Sequence, residues 1–181
     1  MRLSFTGANE VAASLADVWL RIVDPHFVGR NGPGVESVEV LDPRHFKVIC
    51  GLGVGSIRVR FGIDVELAEV NPPNYFSMKA RGQAPGSRVE VTATMALETM
   101  AATRTRLNWK AETEISGTVA SIGARLMEGT ARRLTDLFWT RFAASIAAAA
   151  PTPPAEAEPP SYRATEPPSD PAAEPPAPPA A

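Results

Sequence analysis

The chain has 181 residues, 18 of them proline, and a formal net charge of −2 at pH 7. Twelve of the prolines lie in residues 151–181, where five acids face a single Arg163, so this segment carries −4 and the preceding residues +2. The sequence contains no run of basic residues, which a nucleic-acid-binding face would need. It also contains no run of about 20 apolar residues, which a membrane-spanning helix would need. The single Cys50 excludes an intramolecular disulfide.

The first predicted elements are a short strand and two short helices. Residues 3–7 favour a strand, and Ser14 has the properties of a helix N-cap. The following helix is indicated by apolar residues at helical spacing, namely Leu15, Val18, Trp19, Ile22 and Val23. Asp24-Pro25 ends this helix, and a second helical turn over 26–28 precedes a Gly/Pro/Asn cluster at 31–34.

Six further strands are predicted, over 35–41, 45–52, 56–70, 75–82, 88–98 and 106–115. The strongest pattern is that of 56–70, where apolar residues at odd positions from Ile57 to Leu67 alternate with polar residues or glycine. Such a period of two indicates a long antiparallel strand with one solvated face. The short turns between the runs predict one antiparallel sheet of about seven strands.

Near Gly117 the period changes from two to that of a helix. Apolar residues then recur at helical spacing up to Ala149, which predicts a helix of some 30 residues, too long for an ordinary surface helix of a small domain. We interpret it as the element around which the sheet curves. Arg132, Arg133 and Arg141 on this helix are interpreted as its solvated side, with contact to an anionic lipid or an acidic partner as the alternative.

Residues 1–150 therefore predict one α+β domain, and residues 151–181 a disordered Pro/Ala/Glu-rich tail. The tail contains too few apolar side chains to offset the entropy lost on folding.

Residues for catalysis or metal binding are not indicated. His26 and His45 have no Cys or acid at metal-ligand spacing, and Cys50 lies in an apolar strand, which favours a small buried hydrophobe over a nucleophile. The glycines at 51, 53 and 55 precede a strand and not a helix, which favours a bend in the sheet over a phosphate loop. We predict no catalytic and no metal-ligating residue.

The apolar faces of the strands and of the last helix must face one another, and they predict an apolar interior. Such an interior can enclose a ligand cavity, or the same side chains can fill it completely. If it encloses a cavity, we expect the lining to include Trp19, Phe27, Phe61, Ile63, Met78, Met95, Trp109, Ile122, Leu126, Met127 and Phe138. Methionines suit such a lining because they adapt to a guest.

An ordered series of short motifs resembles the G-subunit family of carbon monoxide dehydrogenase, over about residues 1–148. The series is PGVES at 33–37, GLGVG at 51–55, NPP at 71–73, and Gly117 followed by IGARL at 122–126 with Ala131, Leu134 and Phe138 beyond it. The sequence departs from the family pattern at Ser56, where proline is usual, and in the short loop at 82–87. The family belongs to the helix-grip superfamily of START-like (SRPBCC) proteins, and the resemblance implies a curved sheet that encloses a cavity against a long C-terminal helix.

The resemblance also implies association with a molybdenum hydroxylase of the carbon monoxide dehydrogenase type, and a part in its recruitment to the membrane or its assembly. From these features we expect a non-catalytic accessory protein that binds an apolar small molecule, a lipid or a quinone, with no covalent cofactor. We expect it in the cytoplasm, with peripheral contact at the inner face of the cell membrane. Two alternatives stay open: a recruitment or maturation factor without a ligand, and an enzyme similar to polyketide cyclases.

Overall fold

A computed structural model describes residues 1–54 and 57–149. Its centre is one seven-stranded antiparallel sheet with the order β1-β7-β6-β5-β4-β3-β2. The strands are β1 (Arg2–Val11), β2 (Val35–Asp42), β3 (His45–Val54), β4 (Ile57–Asn71), β5 (Tyr75–Ala84), β6 (Ser87–Ala101) and β7 (Arg104–Gly117). The helices are α1 (Leu15–Ile22), α2 (Pro25–Asn31) and α3 (Ala124–Ala149). The predicted fold class is confirmed, whereas the predicted tail at 151–181 lies outside the described residues.

The two short helices begin as the sequence indicates. The Ser14 hydroxyl accepts a hydrogen bond from the backbone N–H of Asp17 at 3.2 Å and caps α1. The Asp24 carboxylate does the same for the N–H of His26 at 2.9 Å, with Pro25 as the first residue of α2. The second helix is longer than the predicted turn, since it continues to Asn31.

The first strand is also longer than predicted. It pairs with β7 over its whole length, from Arg2 opposite Glu114 to Val11 opposite Thr105. Residues 8–10 show no apolar alternation, but their backbone groups still complete the ladder with β7.

The inward faces of the long strands agree with the alternation in the sequence. On β4, Phe61, Val65 and Leu67 are buried, while Arg58 and Arg60 are exposed. An irregularity in the pairing with β5 follows between Leu67 and Glu69. The inward face of β4 is therefore apolar along most of the strand.

The predicted 30-residue helix is wrong at its beginning. Residues Thr118–Ile122 form a 3₁₀ turn, and α3 starts only at Ala124. Gly117 and Gly123 bound this turn with φ of +79° and +97°, values that disfavour residues with a Cβ. A Cβ at Gly117 would also overlap the carbonyl of Gly86, so the chain leaves the sheet at a position that requires glycine.

Buried apolar residues form two clusters on the inner side of the sheet. The main core lies beneath α1, α2 and the C-terminal half of α3, and comprises Val11, Val18, Trp19, Ile22, Phe27, Leu67, Phe76, Leu97, Leu107, Trp139, Phe142 and Ile146. The second core lies beside the 3₁₀ turn and comprises Cys50, Phe61, Ile115 and Val119.

Candidate functional site

An apolar cavity of about 320 Å³ lies between the sheet and the helices. Strands β2 to β6 form its floor, α1 and α2 cover it, and a single residue of α3, Phe138, closes one side. Its lining consists of Ile22, Val23, Pro25, Val28, Gly29, Gly32, Val35, Phe46, Val48, Ile63, Val65, Leu67, Phe76, Met78, Ala80, Met95 and Phe138. None of these residues has a charged or hydrogen-bonding side chain.

The floor of the cavity results from the register of adjacent strands. Val65 on β4 lies opposite Ala80 on β5, and the next inward pair is Leu67 and Met78. Because alternate residues of a strand point to the same face, every second residue of β4 and β5 contributes to the lining. The small Ala80 side chain leaves space here that a larger residue would occupy.

The roof of the cavity depends on two glycines in and after α2. A Cβ at Gly29 would overlap the Val38 side chain, and a Cβ at Gly32 would lie 2.6 Å from Cγ2 of Val35. The absence of side chains at these positions therefore lets α2 approach the edge strand β2 closely.

A buried polar contact holds α2 against α3. Asn31 is only 4% exposed; its Nδ2 donates to the carbonyl of Phe27 at 2.9 Å, and its Oδ1 accepts from the Ser145 hydroxyl at 2.7 Å. The Phe27 and Phe142 rings meet edge to face beside it, with centroids 5.5 Å apart. This contact fixes the helix that covers the cavity.

Four of the residues predicted from the sequence line the cavity, namely Ile63, Met78, Met95 and Phe138. Trp19 and Phe27 lie in the main core outside the lining. The Trp19 ring is 6.0 Å from that of Phe76, which does line the cavity.

The structure places the other five predicted residues elsewhere. Phe61 belongs to the second core, and Ile122 and Met127 pack against it. Trp109 lies over Gly7 and donates from Nε1 to the Asn9 side chain at 2.9 Å. Leu126 is 46% exposed. Phe61, Ile122 and Met127 therefore lie at a second apolar cluster, which shares one face of the sheet with the main core.

Sequence reasoning missed the contribution of β2 and β3 to the lining, and it chose Trp19 and Phe27 from the short helices where other residues of that region line the cavity. Phe46 and Val48 alternate on β3 in the same manner as the residues of β4, and Ile22 and Val23 end an apolar helical pattern. The apolar pattern of these residues is visible in the sequence, but the sequence does not show that α2 lies over these strands.

A second depression, which we call the outer depression, adjoins the cavity. It has a volume of about 650 Å³ and is lined by Pro33, Gly34, Gly51, Leu52, Gly53, Arg58, Leu126, Thr130, Arg133 and Leu134. The two linings have no residue in common, but some of their residues are neighbours along the chain. Pro33 and Gly34 lie between Gly32 and Val35 of the cavity, and Leu134 lies one helical turn before Phe138.

The residues considered for other chemistry have structural positions. Cys50 is 4% exposed in the second core; burial raises the pKa of its thiol, and the nearby Glu36 carboxylate adds to the shift. Gly51 and Gly53 lie within β3, which is a strand and not a phosphate loop. Within residues 1–54 and 57–149, no three His, Cys, Asp or Glu side chains are placed to hold a metal ion.

The sequence matches the family model of the carbon monoxide dehydrogenase G subunit (CoxG) over residues 7–147. The chain belongs to the CoxG family. The resemblance noted in the short motifs is thereby confirmed. No curated protein matches the sequence.

Solved structures similar to this CoxG family member have the START-like fold. A conserved protein from Geobacillus kaustophilus has a TM-score of 0.77 at 22% identity, covering 81% of this chain and 97% of its own. The ZhuI aromatase/cyclase from Streptomyces sp. R1128 has a TM-score of 0.62 at 16% identity, covering 81% and 94%. A START superfamily protein from Mycobacterium smegmatis has a TM-score of 0.61 at 12% identity, covering 81% and 98%. These likenesses show the fold.

Membrane-spanning helices are absent from the part of this CoxG family member that the structure describes. The 26-residue α3 is long enough to cross a bilayer, but it lacks the required apolar stretch. Arg132, Arg133 and Arg141 are all exposed on it, as the sequence indicates for its solvated side.

Proposed function

We propose that this chain is a non-catalytic accessory protein that binds an apolar small molecule, a lipid or a quinone, in the cavity beneath α1 and α2. The observation that supports the proposal is the lining, which consists of apolar side chains, glycine and proline. A cavity without polar partners favours a dry, apolar guest over water. Burial of about 200 Å² of apolar ligand surface would contribute about 5 kcal/mol before the cost of association.

The size of the cavity restricts the part of the ligand that it holds. An apolar cavity of about 150 Å³ accommodates benzene, so a volume of about 320 Å³ suits a bicyclic ring or a short hydrocarbon chain. The remainder of a longer isoprenoid or acyl chain would lie outside this cavity. Met78 and Met95 allow the lining to adapt, because their unbranched side chains change conformation readily.

Membership in the CoxG family supports a partner enzyme with which the chain acts when it binds its ligand. A molybdenum hydroxylase of the carbon monoxide dehydrogenase type oxidises its substrate and needs an electron acceptor, and isoprenoid quinones are confined to the membrane. We propose that the chain works with such an enzyme in the cytoplasm, peripherally at the inner face of the cell membrane, and that its ligand connects the enzyme to the quinone pool.

Titration with a menaquinone analogue that carries one isoprenoid unit, followed by Trp fluorescence, tests this proposal. Trp19 and Trp139 report on the cavity because their rings lie 6.0 Å and 5.0 Å from the lining residues Phe76 and Phe138. We expect saturable quenching with a Kd of about 0.2 mM or weaker, because about 5 kcal/mol from about 200 Å² of buried apolar surface corresponds to this value before association costs.

Two variants of neighbouring residues on β3 make the test specific. Val48→Phe fills the cavity from its floor, whereas Ile49→Phe adds the same ring from the other face of the strand. We expect Val48→Phe to weaken binding at least about tenfold and Ile49→Phe to leave it unchanged. Quenching that does not saturate, or that is equal in both variants, would contradict the proposal.

The two alternatives make different predictions in the same experiment. A recruitment or maturation factor without a ligand would show no saturable quenching, and organic extraction of the purified protein would release no quinone or lipid. A polyketide-cyclase-like enzyme needs groups that donate or accept protons beside its substrate. The cavity lining offers none, so we favour binding over catalysis.

A further inference from the structure

The two outer strands of the sheet differ in how their free edges are protected. Strand β2 has two irregularities in its pairing with β3, and α2 packs closely against it. Strand β1, at the other end of the sheet, pairs with β7 without interruption and contains no lysine and no proline. Bulges, lysine and proline are common means by which proteins keep an edge strand from pairing with another chain. The edge of β1 has none of these protections.

The hydrogen bonds between β1 and β7 determine which backbone groups of β1 are free. The amino group of Met1 donates to the carbonyl of Ile115 at 2.7 Å, and the Met1 carbonyl accepts from the N–H of Ile115 at 2.8 Å. In an antiparallel pair such residues alternate with residues whose backbone groups point away from the neighbouring strand. The even-numbered residues of β1 therefore direct their N–H and C=O groups to the open edge, where no further strand of residues 1–54 and 57–149 pairs with them.

The middle of this edge is accessible. The side chains of the even-numbered residues are exposed on the outer face of the sheet, and the central three are short, namely Ser4, Thr6 and Ala8. A crevice of about 440 Å³ lies between β1 and α3, lined by Ser4–Asn9 of the strand and by side chains of the helix that include Arg132 and Asp136. The helix therefore does not fill the space beside the middle of the strand.

The charges at the two ends of β1 are opposite in sign. Arg2 and Glu10 both lie on the outer face, where Arg2 contacts Glu114 of β7 at 3.7 Å and Glu10 contacts Arg106 at 2.7 Å. Two copies of β1 that pair antiparallel about Thr6 would place Arg2 of each copy opposite Glu10 of the other. The order across the joined sheets would then be Arg106, Glu10, Arg2 and Glu114, with charges that alternate in sign. Opposite charges on paired strands attract one another.

We propose that the open edge of β1 binds a second copy of this chain, and that the two β1 strands pair antiparallel about a twofold axis at Thr6. In this register the even-numbered residues face one another, and their free backbone groups form about ten hydrogen bonds. A twofold interface uses the same surface of both copies, and β1 is self-complementary because Arg2 and Glu10 lie at equal distances from Thr6. A shift of the register by two residues would separate both charge pairs. The proposal does not depend on the function of the cavity.

Charge reversal tests the pairing of the two strands. We expect sedimentation equilibrium of the full chain, at about 10–500 μM, to show a monomer–dimer equilibrium. Arg2→Glu and Glu10→Arg should each weaken the dimer at least about tenfold, because each change acts twice in a twofold interface. The double variant Arg2→Glu/Glu10→Arg should recover most of this loss. As a control, Arg88→Glu makes the same change of charge on the outer face of β6 and should leave the dimer unchanged.

The recovery in the double variant distinguishes pairing between copies from an effect on folding. Positions 2 and 10 are about 26 Å apart along one strand, so the new charges do not meet within one chain. Within each copy the double variant still places like charges opposite Glu114 and Arg106. Only contact between two copies brings the reversed charges together as opposite pairs.

A cysteine at the twofold axis tests the register. Two copies of Thr6→Cys would have Cα atoms about 5.5 Å apart, which suits a disulfide. Two copies of Ser4→Cys would have Cα atoms about 14 Å apart, which is too far. We therefore expect mild oxidation to cross-link Thr6→Cys into a dimer and to leave Ser4→Cys largely monomeric on a non-reducing gel. The native Cys50 is buried and is present in both variants, so the comparison controls for it.

The outcomes decide between this interface and others. A wild-type protein that stays monomeric at about 0.5 mM would overturn the proposal. A dimer that is insensitive to both single reversals would be held by another face of the molecule and would overturn it as well. If the double variant shows no recovery, or if Ser4→Cys cross-links as readily as Thr6→Cys, the pairing about Thr6 is wrong.

Discussion

The contact between Asn31 and Ser145 allows a quantitative test of how the cavity roof is held. Ser145→Ala removes the donor at 2.7 Å and leaves the Oδ1 of Asn31 buried without a partner. An unsatisfied buried acceptor costs about 1–3 kcal/mol. Asn31→Ala removes two hydrogen bonds and leaves space, and we expect it to cost about 2–4 kcal/mol.

Because the two side chains interact directly, the effects of the two substitutions should not add. We expect the double variant to be about 1 kcal/mol more stable than the sum predicts, since the second substitution finds its hydrogen bond already lost. Urea denaturation measures this difference as a shift of the midpoint at constant slope. Thr140→Ala serves as the control: its hydroxyl donates to the Asp136 carbonyl on the exposed side of α3, and the change should stay within about 0.5 kcal/mol. Strict additivity would show that the bond contributes nothing to holding α2 on α3.

Three further predictions concern other contacts. Gly7→Ala should lower stability by about 2–4 kcal/mol in thermal denaturation, because its Cβ overlaps the Trp109 ring, and Trp109→Phe in the same background should recover part of the loss. Cys50 should react with a thiol reagent at least about 100-fold more slowly in the native protein than in urea, since burial raises its pKa; equal rates would contradict its burial. The pKa of the Asp42 carboxyl is lowered from its ordinary value of 3.8, first by the hydrogen bond from the backbone N–H of Arg44 and then by that from the His45 side chain. The ionised carboxylate therefore stabilises the folded state above pH 3.8, and this stabilisation is lost as the pH falls through the lower folded pKa. The stability difference between the wild-type protein and Asp42→Asn should therefore shrink on acidification, and a constant difference would refute this.

The strands were largely predictable because their alternation is a local property. From Val59 to Leu67 each inward residue of β4 is apolar and each outward one is polar or glycine, so the sequence alone indicates which face is buried. The first strand shows the limit of this reasoning. Its inward positions include Gly7 and Asn9, which look unsuited to an interior until Trp109 of the neighbouring strand is seen to cover one and bond to the other. Because these contacting residues lie about 100 residues apart, the sequence of either strand alone does not reveal the contact.

The beginning of α3 was not predictable for a different reason. Val119 and Ile122 are spaced as in a helix, and a 3₁₀ turn gives nearly the same spacing over five residues. The positive φ at Gly123 ends the turn, and a single glycine within a helical pattern does not reveal its φ.

The sequence predicts the apolar character of the interior but not whether it encloses a cavity. Alternation indicates an apolar interior, but whether side chains fill that interior depends on where α1, α2 and α3 come to rest on the sheet. The close approach of α2 to β2 at Gly29 and Gly32 decides this, and it places the space beneath the short helices and not along the length of the long one.

The attachment of α3 has a consequence for motion. Its C-terminal half is anchored by Phe142 and Ile146 in the main core, whereas Leu126, Glu128 and Gly129 near its beginning are exposed. Segments with few buried contacts open at a small fraction of the global unfolding free energy. The first turns of α3 contact the second core through Met127 only, so their backbone amides should exchange with solvent faster than those of the half anchored in the main core.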